Sequence, residues 1–82
     1  MALQTLYPAN SAANVVAITM QTERARGVYI GASANYDFCF NKTTWVTFVG
    51  CVAGTVLPIA PWGVRNTVGG GAPAANAIIF LY

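Results

Sequence analysis

The chain has 82 residues and only six charged side chains, four basic and two acidic, for a net charge of +2. With 56% hydrophobic residues and 7% charged ones, against about 25% in ordinary soluble domains, it lacks the surface of a free-standing monomer. Histidine is absent and cysteine occurs twice, which excludes the common structural zinc sites and removes the usual general base.

Helical periodicity is missing throughout, and short β-rich runs are separated by turn residues instead. Residues 1–13 read as an irregular N-terminal arm, with Leu3, Leu6 and Tyr7 ahead of Pro8. The arm has neither a basic leader nor an apolar core, so it is not expected to act as a signal peptide. A cytoplasmic site of synthesis is expected, with Cys39 and Cys51 as thiols.

Residues 14–22, NVVAITMQT, read as a first strand, with Val16, Ile18 and Met20 on one face and Thr19 and Gln21 on the other. Glu23 to Gly27 is polar and turn-like, and holds the chain's basic pair Arg24 and Arg26. Gly27 to Ala32 is a second strand and Tyr36 to Phe40 a third. Asn41-Lys42 reads as a two-residue turn into a fourth strand, Thr44 to Val52. In that register Cys39 faces Thr44, and the two cysteines fall on opposite faces of the hairpin. Buried thiols are therefore preferred to a disulfide. Thr55 to Ile59 is a fifth strand, with Pro58 restricted to an edge or bulge, and Trp62 to Asn66 is a sixth. Residues 68–76, VGGGAPAAN, form a loop, and Ala77 to Tyr82 form the last strand. This spacing predicts an all-β fold, a small β-sandwich or β-barrel made of one domain over residues 14–82.

Residues 43–64 carry no charge and are long enough to span a bilayer. Pro58 and Pro61, three glycines and a run of β-branched and aromatic residues argue for strands instead, so a membrane is the weaker alternative. Asp37 and Glu23 are the two carboxylates, and no nucleophile–base pair is visible. No enzyme activity, cofactor, metal or small-molecule substrate is expected, and the few scattered basic residues do not suggest nucleic acid. Trp45 and Trp62 are expected to serve packing or interfaces in preference to stacking a sugar. The terminal run Ile78-Ile79-Phe80-Leu81-Tyr82 lacks a polar alternation, which predicts a strand covered on both faces, one of them near Phe80 or Tyr82 by a neighbouring subunit.

Four stretches carry a family resemblance: Arg26-Gly27-Val28-Tyr29-Ile30-Gly31, Trp45-Val46-Thr47-Phe48, Val52-Ala53-Gly54-Thr55-Val56-Leu57-Pro58-Ile59 and the aromatic ending Ile78 to Tyr82. Over residues 24–82 the chain resembles small tailed-phage virion structural proteins, the head-decoration, cement and head-spike-base proteins also seen in gene transfer agents. It departs from them at Asn41-Lys42, where they carry an Asp-Gly type turn, and at APWGV, where they tend to carry basic residues. The resemblance implies a capsid protein on the virion exterior, a homo-oligomer bound to the major capsid protein. A tail or baseplate component is the alternative. Low charge on a small chain also implies a homo-oligomer, with a trimer expected before a pentamer. Leu3, Leu6, Tyr7, Trp45, Trp62, Phe80 and Tyr82 are the candidate oligomer or capsid interface residues.

Overall fold

The computed structural model describes Ala9 and residues 11–82. Seven strands follow in chain order: β1 (Ala12–Asn14), β2 (Gly27–Ile30), β3 (Ala34–Cys39), β4 (Trp45–Cys51), β5 (Val56–Leu57), β6 (Gly63–Asn66) and β7 (Ile78–Leu81). They build two antiparallel sheets, β1-β7-β2-β5 and β4-β3-β6. Val28, Ile30, Ile78 and Phe80 from the first sheet pack on Tyr36, Phe38 and Val64 from the second, so a single core lies between two layers. The fold is thus all-β, as the strand spacing predicts. Among the described residues, no helix is long and apolar enough to cross a membrane.

The last strand takes the central place that its apolar character requires. β7 pairs with β1 on one side and with β2 on the other. Its ends are held by Val15 N–H on the Ile78 carbonyl at 3.0 Å, Arg26 N–H on the Leu81 carbonyl at 2.6 Å, and a reciprocal pair between Ser11 and Tyr82. Every second residue faces the core: Ile78 and Phe80 are fully buried, while Ile79 and Leu81 are half-buried on the outer face.

The first strand differs from expectation. Only Ala12–Asn14 pair, and residues 15–22 leave the sheet, with Val16 and Ile18 exposed and Val15 buried. The cause is a crossover. The backbone moves from Ile78 to the far sheet, where Gln21 N–H bonds the Trp62 carbonyl and Ala25 N–H bonds the Pro61 carbonyl, and it then returns to Leu81 through Arg26. A segment that changes sheets cannot keep a period of two, so the alternation of Val16, Ile18 and Met20 is not a strand face.

The β3–β4 hairpin is also offset from the expected register. Cys39 pairs with Trp45, leaving a five-residue connection in which Asn41 Oδ1 accepts from Thr43 N–H at 3.0 Å and Thr44 N–H at 2.8 Å. Lys42 takes a left-handed φ of 68° there. A bulge near Gly50 (φ 74°) then shifts the ladder again, so that Ala34 opposes Cys51. The two shifts cancel in parity. Cys51 joins the core and Cys39 lies on the opposite face, and both are free and buried.

β5 stops at Leu57, immediately before Pro58, on the edge of its sheet, where a proline removes no needed ladder bond. Gly31, just past β2, sits so close to the Asn76 carbonyl oxygen that a Cβ there would collide with it. Asn76 itself has φ 64° and is fixed by two hydrogen bonds with Asn14: its N–H donates to Asn14 Oδ1 at 2.9 Å and its Oδ1 accepts from Asn14 Nδ2 at 3.0 Å.

Candidate interaction surfaces

Asp37 is the one buried carboxylate among the described residues, 5% exposed at the centre of β3. Its Oδ1 accepts the hydroxyls of Thr47 on β4 and Thr67 beyond β6, each at 2.7 Å, and its Oδ2 accepts Arg65 Nε of β6 at 2.9 Å. The hydroxyl bonds from Thr67 and Thr47, with Arg65 beside them, hold the carboxyl below its ordinary range against the opposing effect of burial. A carboxylate bonded in this way ties β3 to β4, to β6 and to the residue just beyond β6. Arg65 also lies over the Trp45 ring, 4.5 Å from its centroid. Among the described residues, no group of three or more His, Cys, Asp or Glu could hold a metal ion. Burial raises the Cys51 thiol, which keeps it protonated and unreactive.

The other charged cluster lines a shallow open depression of about 260 Å³, formed by Ser11, Glu23, Arg24, Arg26 and Tyr82. It gathers three of the six charged side chains of the chain. Arg24 Nε donates to the Ala60 carbonyl at 3.0 Å, and burial together with the neighbouring Glu23 carboxylate raises the Tyr82 phenol. Exposed Arg24 and Arg26 flank buried Ala25, giving a small charged spot.

Eight large hydrophobic side chains are exposed among the described residues. Val46, Val49 and Val52 lie on or just beyond β4, and Tyr29 and Val56 sit opposite each other on the outer face of the four-stranded sheet. Ile79 and Leu81 extend that outer face across β7, with Gly27 between Leu81 and Val56. Val16 and Ile18 add apolar area on the crossover segment.

The expected interface residues separate into three groups. Leu3, Leu6 and Tyr7 lie outside the described residues. Trp45 and Trp62 are half-buried, each with a cation over its ring: Arg65 on Trp45, and Lys42 on Trp62 at 4.0 Å. One face of each ring is therefore used inside the fold, and Met20 reaches Gly63 next to the Trp45 ring. Phe80 requires a correction. It is fully buried in the subunit's own core, so it has no surface to offer a neighbour, whereas Tyr82, edge-on to Phe80 at 6.4 Å, remains half-exposed at the charged depression. The strand's alternation, not the composition of the run, makes this division.

Reading residue by residue misses the edge of β4. Its seven residues, WVTFVGC, contain no charge and no proline, and that absence is the legible signal. No family model, no curated protein and no solved structure matches this chain.

Proposed function

We propose that this protein is a non-enzymatic structural subunit of a tailed-phage virion. It is a homo-oligomer that attaches to the major capsid protein on the outside of the shell, as a cement, decoration or head-spike-base component. The observation that carries this reading is eight exposed large hydrophobic side chains among the described residues of a chain with only six charges. Apolar area rimmed by a polar spot is the composition of a protein interface. The Glu23–Arg24–Arg26 depression supplies such a polar spot. The resemblance over residues 24–82 directs the reading to virion proteins. A ligand that binds only the assembled shell stabilises it by mass action, and that is the work assigned here.

The test is to purify particles carrying the protein and locate it by cryo-electron microscopy, alongside sedimentation of the isolated chain. Density for an oligomer on the outer capsid surface is expected. A monodisperse monomer at micromolar concentration that does not bind capsids overturns the reading.

A further inference from the structure

A β-sandwich has to protect the backbone groups at the edges of its sheets, because unpaired N–H and C=O groups are templates for another strand. The described residues have four such edges. β1 is three residues long and β5 two, too short to template a stable pair. β6 is covered at its end by its own loop: Asn66 N–H bonds the Gly71 carbonyl at 2.9 Å and Asn66 Nδ2 bonds the Ala72 carbonyl at 3.0 Å. The fourth edge is β4. It is the longest strand at seven residues, and among the described residues no strand lies beyond it. Natural proteins guard such an edge with lysine, proline or inward-pointing charge, or with a bulge, which in β4 lies only at its far end near Gly50. β4 has no lysine, proline or charge, and its Val46 and Val49 are 46% and 79% exposed.

We propose that the open edge of β4 is a self-association edge. Two copies pair their β4 strands antiparallel about a two-fold axis normal to the sheet, joining two three-stranded sheets into one. The proposal rests on the self-association in the reading above, and not on the virion location.

Three observations select a second copy in this orientation. First, a ring built by head-to-tail pairing needs a second open edge of similar length, and the described residues offer none. A two-fold contact uses the same edge twice. Second, the strand is uncharged, so like faces like across the axis without repulsion. Third, Lys42 lies just before β4. Antiparallel pairing places the two Lys42 residues at opposite ends of the joint, separated by more than about 20 Å at 3.4 Å per residue. This is well beyond the ~8 Å screening length of physiological salt.

The bulge near Gly50 bends the strand away, so the regular joint is Trp45 to Phe48, centred on Val46 or Thr47. An axis normal to the sheet preserves its faces. Val46 and Phe48 share the core side with Phe38 and Tyr36. An axis at Thr47 sets each Val46 against the other copy's Phe48 and extends the core across the joint, and an axis at Val46 sets Val46 against itself. The closed unit is a dimer, in place of the trimer that composition alone suggests.

The test compares wild type with Val46→Lys by sedimentation velocity and follows amide hydrogen exchange of the wild type across a concentration series. Val46 is half-exposed in the monomer, so a lysine there can reach water while setting two like charges against each other across the axis. Wild type is expected to sediment as a dimer or a multiple of dimers. Val46→Lys is expected to sediment as a monomer with unchanged far-ultraviolet circular dichroism. Exchange of residues 45–48 is expected to slow as wild-type concentration rises. A Val46→Lys variant that keeps wild-type sedimentation overturns the proposal, as does a wild-type trimer or pentamer with unprotected β4 amides. If Val46→Lys loses its β signal, the wild-type exchange series decides alone: slowing that tracks concentration supports the edge, and concentration-independent exchange overturns it. Capsid binding is scored separately. Protein that dimerises through β4 but never attaches to particles retires the virion reading and leaves the edge assignment standing, and attachment with unprotected β4 amides does the reverse.

Discussion

β4 and β7 are both largely apolar strands, and neither carries a charge. β7 is hydrogen-bonded on both sides and buries Ile78 and Phe80 in the core. β4 pairs only with β3 and leaves four of its seven residues exposed, among them Val46 and Val49. Similar composition thus yields a sheet centre in one case and an open edge in the other. The difference comes from which neighbours the topology delivers. β1 and β2 arrive on the two sides of β7, while the chain leaves β4 through the Gly50 bulge and crosses to the other sheet at β5. Apolarity therefore marks a segment for burial without saying what will bury it. In β7 the covering comes from the chain itself, and for β4 the proposal above assigns it to a second copy.

Mutations at the two strands should separate the roles. The largest effect is expected at the centre. Phe80→Ala removes a fully buried ring and should cost about 3–5 kcal/mol. That is the whole net stability such a small core typically supplies, ~3–5 kcal/mol. The variant should lack a cooperative thermal transition by circular dichroism, and a wild-type melting curve would refute the central role of β7.

Gly31→Ala acts where β2 passes the start of β7. Its Cβ meets the Asn76 carbonyl oxygen, which is backbone and cannot step aside. A loss of about 3 kcal/mol is expected in chemical denaturation, at the upper end for overpacking. A shift below about 1 kcal/mol would mean that the Asn14–Asn76 clasp yields.

Asp37→Asn loosens both partners of β3, since Thr47 sits on β4 and Arg65 on β6. A charged hydrogen-bond network of this kind contributes about 2 kcal/mol. The pH dependence follows from the depressed pKa. The stabilisation is fully present above the unfolded carboxyl value of about 3.9, and it is lost as pH falls through the lower folded value. Wild type should lose stability on acidification below about pH 4, while Asp37→Asn should start lower and show a flatter acid profile. Equal slopes for the two proteins would place the acid-sensitive group elsewhere.

The smallest effect on the folded subunit is expected at the edge. Val49→Lys replaces a side chain that is 79% exposed and should change monomer stability by no more than about 0.5 kcal/mol. A loss of several kcal/mol in denaturant would show that β4 is covered within its own subunit.

Several features of the fold were legible because they depend on short-range chemistry. The β-rich runs near residues 27, 36, 45, 63 and 78 each became a strand, with their ends moved by one or two residues. Pro58 marked an edge because a proline cannot donate to a ladder. The alternation at Val16, Ile18 and Met20 misled, because in an isolated sequence a crossover with apolar residues at even spacing has the same pattern as a strand. The Asp37 network was not legible. Thr47, Arg65 and Thr67 lie 10, 28 and 30 residues from it, and no local pattern links them.

By itself the sequence determined the class of fold and the shortage of charge. Backbone preference, turn chemistry and composition act locally and survive in any arrangement of the chain. Tertiary structure alone decided that Phe80 belongs to the core and Tyr82 to the rim, that Cys39 and Cys51 face apart, and that β4 and not β7 is left open. Each of these depends on strand register and on neighbours far away in sequence. A one-residue shift in a ladder exchanges the faces of a strand, and no single segment encodes the partner that fixes that shift.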